Sequence, residues 1–240
     1  GGGFISLELA ENLIRKGIST TVVEKNDQIL TPFDKEMTTP IVQELAKRDV
    51  TLLLGQAAEA VEQTTNGLTV CLNSGRRLPA QLVIFGVGVR PENKLAVDAG
   101  LAVGPRGGIQ VNDHLQTTDP DIYAVGDAVE VKDVVSGDPT QVPLAGPANR
   151  QGRIAADNVF GRSVKYRGTQ GTAIVGFFER TAAMTGASEK VLRRANRQLR
   201  RDRDGEPRRP VVCQRQICRG CGRLPLGQVR WHVLCPRPER

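Results

Sequence analysis

The chain has 240 residues, 39% of them apolar, and a formal charge of +7; no apolar run of eighteen residues is present, so a soluble fold of one or two cores is expected and a membrane span is not. Six Phe, two Tyr and one Trp stand against 26 Gly, a balance that argues against base-stacking platforms and for tight turns and close backbone approaches. The charge is uneven: residues 1–190 hold 19 Lys and Arg against 22 Asp and Glu, net −3, whereas residues 191–240 hold 14 Arg, no Lys and 4 acids, net +10. The body is therefore slightly acidic and is not expected to bind nucleic acid. Cys71 is the one cysteine of the body, with Cys213, Cys218, Cys221 and Cys235 in the tail, so no disulfide framework is implied for the body.

The sequence opens on Gly1-Gly2-Gly3-Phe4-Ile5-Ser6 with no signal-peptide pattern, and a cytoplasmic location is expected. Leu7, Leu9, Ala10, Leu13 and Ile14 recur at helical spacing, which predicts a helix over 7–16 stopped by Gly17. The run Ser19-Thr20-Thr21-Val22-Val23, β-branched after its serine, reads as a buried strand closing at Glu24. Loop, helix, strand and acid in this order fit the dinucleotide fingerprint G-x-G-x-x-G, with Gly1 and Gly3 in place, Ser6 at the third position and Glu24 about twenty residues on. Exposed N–H groups and the helix dipole would face a diphosphate. Glu24 would accept from the ribose hydroxyls and repel a 2′-phosphate, so NADH is expected over NADPH, although the adjacent Lys25 keeps NADPH open. Ser6 adds a hydroxymethyl at a tight contact, an overpacking of about 1–3 kcal/mol if nothing relaxes.

Asp34 is the expected N-cap of an amphipathic stretch with Met37, Ile41, Val42, Leu45 and Ala46, and Pro40 either strains its middle or delays its start. Short strands are predicted over 50–54, 57–63, 68–72 and 81–85, with turns at Asn66-Gly67 and Ser74-Gly75. This is a parallel β-α-β start followed by an antiparallel meander. Cys71, inside the meander, reads as an ordinary strand residue.

The segment Gly86-Val87-Gly88-Val89-Arg90-Pro91 resembles the G-x-R-P crossing of the two-dinucleotide-binding flavoprotein disulfide reductases. Thr117-Thr118-Asp119-Pro120-Asp121-Ile122-Tyr123-Ala124-Val125-Gly126-Asp127 resembles that family's FAD motif, T-x-x-P-x-I-Y-A-x-G-D, in which an apolar strand over 122–125 would bring Gly126 and Asp127 to the cofactor. The run Leu144-Ala145-Gly146-Pro147-Ala148-Asn149-Arg150-Gln151-Gly152-Arg153 is similar to the coenzyme A-disulfide reductase and NADH oxidase branch, with Pro147 in the first turn of a helix reaching Asn158. The cofactor-binding residues so implied are Gly1, Gly3, Ser6, Glu24, Gly88, Gly126, Asp127, Leu144 and Ala145. Residues 166–175 resemble the opening strand of the same branch's dimerisation domain.

The resemblance implies an α/β fold: a Rossmann-like NAD-binding domain with an antiparallel meander over 1–110, a returning part of an FAD-binding domain over 111–160, and the start of an α+β dimerisation domain over 161–190. It implies a flavin-dependent oxidoreductase, homodimeric in full length, passing hydride from NAD(P)H through FAD to a disulfide or to dioxygen. The family's first FAD-binding unit, redox cysteine and first NAD-domain strand would precede Gly1, so an incomplete copy without a catalytic residue of its own, inactive alone, is expected. The tail over 191–240 admits two accounts. Cys218, Cys221, His232 and Cys235 have the spacing of a zinc site in Arg-rich surroundings suited to nucleic acid. Arg without Lys, scattered Cys and five Pro are also what a shifted reading frame or a disordered tail produces.

Overall fold

The computed structural model describes residues 1–194 and the strand segments 200–201, 207–208 and 213–214. The described chain forms two compact units, one of residues 1–88 with 174–184 and Cys213-Gln214, the other of residues 89–173 with the described parts of 185–208. No helix of the described residues is long and apolar enough to cross a membrane.

In the first unit, helix α1 (Phe4–Arg15) starts three residues before the expected position, with Gly3 as N-cap in an extended conformation and the Leu7 N–H donating to the Gly3 carbonyl at 3.1 Å. Leu7 and Ala10 are buried, and full burial of a leucine contributes about 1.5–3 kcal/mol. Gly17, at φ +72°, ends the helix: its N–H returns to the Ile14 carbonyl and that of Ile18 to Leu13, the paired bonds of a Schellman stop. Strand β1 (Thr21–Glu24), helix α2 (Lys35–Lys47) and strand β2 (Thr51–Leu54) follow, and the two strands pair in parallel from Thr21↔Thr51 to Glu24↔Leu54. Ile41 and Leu45 of α2 are fully buried, and the loop before it packs Ile29, Leu30 and Phe33 into the same core. The meander is antiparallel, β3 (Ala58–Thr64), β4 (Gly67–Leu72) and β5 (Arg77–Ala80) in that order.

Residues 81–85, expected as a strand, form none. Leu82 and Phe85 are each 65% exposed. The run has the composition of a strand covered on both faces, and such a strand needs neighbours on both edges; no described strand pairs with it.

The second unit begins with helix α3 (Lys94–Asp98). Strand β6 (Ile109–Gln110) pairs in parallel with β7 (Val129–Lys132), which pairs antiparallel with β8 (Pro139–Thr140). Helix α4 (Ala145–Val159) lies over this sheet through a core of Leu115, Val129, Val131, Ile154, Ala155 and Tyr166. The predicted strand over 122–125 is reduced to one bridge, Gln116↔Tyr123, because those residues return onto 115–117 and no described strand takes their other edge.

The hairpin β9 (Ala173–Phe177) and β10 (Arg180–Thr185) is followed by helix α5 (Glu189–Arg194). Strands β11 (Arg200–Arg201) and β12 (Pro207–Arg208) pair with each other, and β13 (Cys213–Gln214) lies beside β10.

Candidate functional site

The start of α1 is built from three glycines with different surroundings. A β-carbon on Gly1 would collide with the Gly86 carbonyl oxygen, and one on Gly2 would press on Ile29 Cγ2 at 2.8 Å and Glu24 Cβ at 3.3 Å. A β-carbon on Gly3 would meet no atom of the described residues within 4 Å, and its φ of −81° is open to any residue. Neither packing nor backbone conformation therefore requires glycine at Gly3; open space lies in front of it. No side chain caps α1, so the first-turn N–H groups of Phe4, Ile5 and Ser6 have no acceptor within the helix. Amides and helix dipole together make this end a receptor for an anion.

Ser6 is accommodated without the expected strain. Its Oγ occupies the place of a side chain on Gly86 and lies 3.4 Å from the Gly86 carbonyl, to which it donates. The glycine missing from the third fingerprint position has its counterpart eighty residues on.

Glu24 stands at the end of β1, next to the glycine loop, and is 7% exposed. The Gly2 N–H donates to Oε2 at 2.6 Å, while the Asn26 backbone N–H and side-chain amide donate to Oε1 at 2.9 and 2.5 Å. Burial pushes its pKa up, but the donors from Asn26 and Gly2 outweigh this and hold the carboxyl below the ordinary glutamate range. The carboxylate thus ties β1 to the loop. With three of its roughly four lone-pair sites used, it keeps room for about one further donor.

The second unit gathers the other predicted residues around the start of α4. Gly126, at φ +85°, opens a 3₁₀ turn (Gly126–Ala128), and its N–H donates to Gln151 Oε1 at 2.7 Å. Gln151 is only 2% exposed, so this bond fixes the turn against the second turn of α4. Asp127 is exposed. Leu144 is the N-cap of α4 and Ala145 its first residue, again with no side-chain cap. One open face of α4 presents Ala148, Asn149, Gly152, Arg153 and Ala156. Small side chains there leave the helix backbone approachable, with a guanidinium beside it.

The structure thus brings Gly1, Gly3, Ser6 and Glu24 together in one unit, and Gly126, Asp127, Leu144 and Ala145 in the other. Gly88 is exposed, with φ +111°, a conformation that suits glycine, and no atom of the described residues lies within 4 Å of where its β-carbon would be. Three residues without a role in the sequence reading join the sites: Gly86, Asn26 and Gln151. Gln151 lies inside a quoted motif, but nothing in the motif signals that its side chain turns back to residue 126. The Cys71 thiol is pushed up by burial and by Glu62, with Arg77 opposing, consistent with an inert strand residue. Among the described residues no group of three or more His, Cys, Asp or Glu could hold a metal ion. Cys218, Cys221, His232 and Cys235 lie outside the described residues.

Residues 1–152 match the family described as pyridine nucleotide-disulphide oxidoreductase. An "NAD(P)H sulfur oxidoreductase (CoA-dependent)" of Pyrococcus abyssi is 35% identical over 190 residues, 79% of this chain and 42% of that protein. A "Coenzyme A disulfide reductase" of Staphylococcus aureus is 34% identical over 194 residues, 80% of this chain and 43% of that protein. Among solved structures, the reduced CoADR-RHD of Bacillus anthracis superposes with a TM-score of 0.80 at 44% identity, covering 83% of this chain and 36% of that one. The water-forming NADH oxidase of Lactobacillus brevis bound to NADH gives 0.78 at 28% identity, covering 84% and 46%. The chain spans less than half the length of the curated relatives it matches. It belongs to the pyridine nucleotide-disulphide oxidoreductase family.

Proposed function

From this membership we propose that the chain is the dinucleotide-binding portion, with part of the flavin-binding surface, of a flavin-dependent NAD(P)H oxidoreductase acting on a disulfide of the coenzyme A kind or on dioxygen. The observation that carries the first half is Gly3, which no close contact among the described residues and no special backbone angle holds to glycine, and whose open face lies before helix amides without an acceptor in the helix. The diphosphate of NADH would lie there, held by the N–H groups of the first turn of α1. Glu24, with about one acceptor site left, would take a ribose hydroxyl, and its charge disfavours a 2′-phosphate, so NADH is preferred to NADPH.

For FAD, the residues that fit are Gly126 and Asp127 in the turn braced by Gln151, with Leu144 and Ala145 at the uncapped start of α4. Exposed Asp127 is free to accept from a ribitol hydroxyl, and the α4 dipole favours negative charge developing at its end. Held by these residues, the nicotinamide would supply a hydride and the flavin would be its two-electron acceptor. Support for the acceptor class comes from relatives named as sulfur oxidoreductase, coenzyme A disulfide reductase and NADH oxidase. The proposal includes an NAD-binding domain over 1–110, a flavin-domain segment over 111–160 and the start of a dimerisation domain over 161–190, in a cytoplasmic homodimer.

Fluorescence titration of the full chain with NADH and NADPH, and its uptake of FAD followed by the visible flavin band, test the reading. Saturable binding of NADH, weaker binding of NADPH and a bound flavin band are expected. A chain that takes up neither NADH nor FAD refutes it.

A further inference from the structure

Helix α1 is engaged at both ends. Its N-terminus carries the amides assigned above to the dinucleotide, and its second half is gripped by the tip of the β9–β10 hairpin, 167 residues away in sequence. Phe178, in that tip, has φ +51°, which a bulky residue adopts only where its surroundings over-determine it. The surroundings do so. The Phe178 N–H donates to Glu11 Oε2 at 2.9 Å, and the guanidinium groups of Arg15 and Arg48 lie over its ring at 5.0 and 4.3 Å from the centroid. Arg15 also pairs with Glu11 at 2.7 Å, so two residues one turn apart on α1 are joined to each other and to the same phenylalanine.

The neighbouring residues hold the tip from the α2 side. Arg48, the C-cap of α2, donates to both oxygens of Glu179 at 3.0 and 2.9 Å and to Glu44 at 3.2 Å. Arg180 approaches Glu44 at 3.6 Å, with side chains only 12% and 6% exposed. Apolar packing alone would let α1 slide or turn under the hairpin. A backbone hydrogen bond and two cation–π contacts are directional and do not.

We propose that the Phe178 tip is a positioning device for α1, setting the rotation and axial position of the helix and through it the first-turn amides that receive the dinucleotide. The proposal rests on the assignment of NADH to the α1 N-terminus. From Glu11 to Phe4 the helix rises about 10 Å, short enough for a hydrogen-bonded cylinder to carry a shift intact. Phe178, Glu11 and Arg15 touch no part of the proposed cofactor site; they act through the helix.

The test uses the full 240-residue chain as wild type, Phe178→Ala, Glu11→Ala and Glu11→Gln, with hydrogen exchange of residues 4–15 and NADH titration. Glutamine keeps an acceptor for the Phe178 N–H, so it rescues a positioning role. Phe178→Ala and Glu11→Ala are expected to speed exchange in 4–15 about tenfold and to raise the Kd for NADH about three- to tenfold, with Glu11→Gln within twofold of wild type. If Phe178→Ala also unfolds the β9–β10 hairpin, the Glu11 pair decides. Unchanged α1 exchange and unchanged Kd in Glu11→Ala overturn the positioning role. A wild type that does not bind NADH overturns instead the dinucleotide assignment, and is recognised because the exchange effect persists.

Discussion

Replacing Gly3 by alanine separates a glycine kept for a ligand from one kept for the fold. The added methyl meets no atom within 4 Å, and φ −81°, ψ −177° is ordinary for alanine. Loss of unfolded-state freedom stabilises by about 0.4–1 kcal/mol, and alanine's poorer N-capping costs a similar amount, so stability should stay within about 1 kcal/mol of wild type. Binding should not. A methyl at the closest approach of a diphosphate pushes its oxygens off the helix amides, and losing even one charge-assisted hydrogen bond, about 1.5–3 kcal/mol, raises Kd roughly ten- to a hundredfold. Gly1→Ala is the control: its methyl strikes the Gly86 carbonyl, and overpacking of this kind costs about 1–3 kcal/mol. Urea unfolding and NADH titration of the three proteins give both quantities. Wild-type affinity in Gly3→Ala would refute the placement of the diphosphate; a large loss of stability there would refute the open geometry.

Three further outcomes follow from the same contacts. Gly86→Ala should destabilise by about 1–3 kcal/mol in urea unfolding, because its β-carbon would occupy the Ser6 hydroxyl, and Ser6→Gly in the same background should recover most of the loss. Glu24 has a folded-state pKa below its ordinary value, so its contribution to stability is complete above that value and is lost as pH falls through the lowered one; Glu24→Gln should flatten this acid limb of the stability–pH curve, and an unchanged limb would count against the Gly2 and Asn26 bonds. Gln151→Leu leaves the Gly126 N–H without its acceptor, an expected loss of about 1–3 kcal/mol with weakened FAD uptake, read by thermal unfolding and the flavin band.

Much of the local structure is legible in the residues themselves. The spacing of Leu7, Ala10 and Leu13 with Gly17 behind them predicts α1 and its stop, and alternation with Asn66-Gly67 and Ser74-Gly75 predicts the meander. The two misread strands, 81–85 and 122–125, fail for one reason. Strand propensity describes a side chain's fitness for a pleated surface, whereas a strand exists only where a neighbour supplies hydrogen bonds, and that neighbour is a tertiary fact.

The candidate site divides along the same line. The sequence by itself determined the chemistry on offer: glycines opening a helix, an acid closing the next strand, and the motif around Gly126 and Asp127. Only the tertiary structure decided how each is held. It set Ser6 against Gly86, turned Glu24 toward Gly2 and Asn26, braced Gly126 with Gln151 and gripped α1 through Phe178. Periodicity and capping act within a few residues along the chain, while most of these pairs are 22 to 167 residues apart; their geometry exists only after the helices and strands have packed.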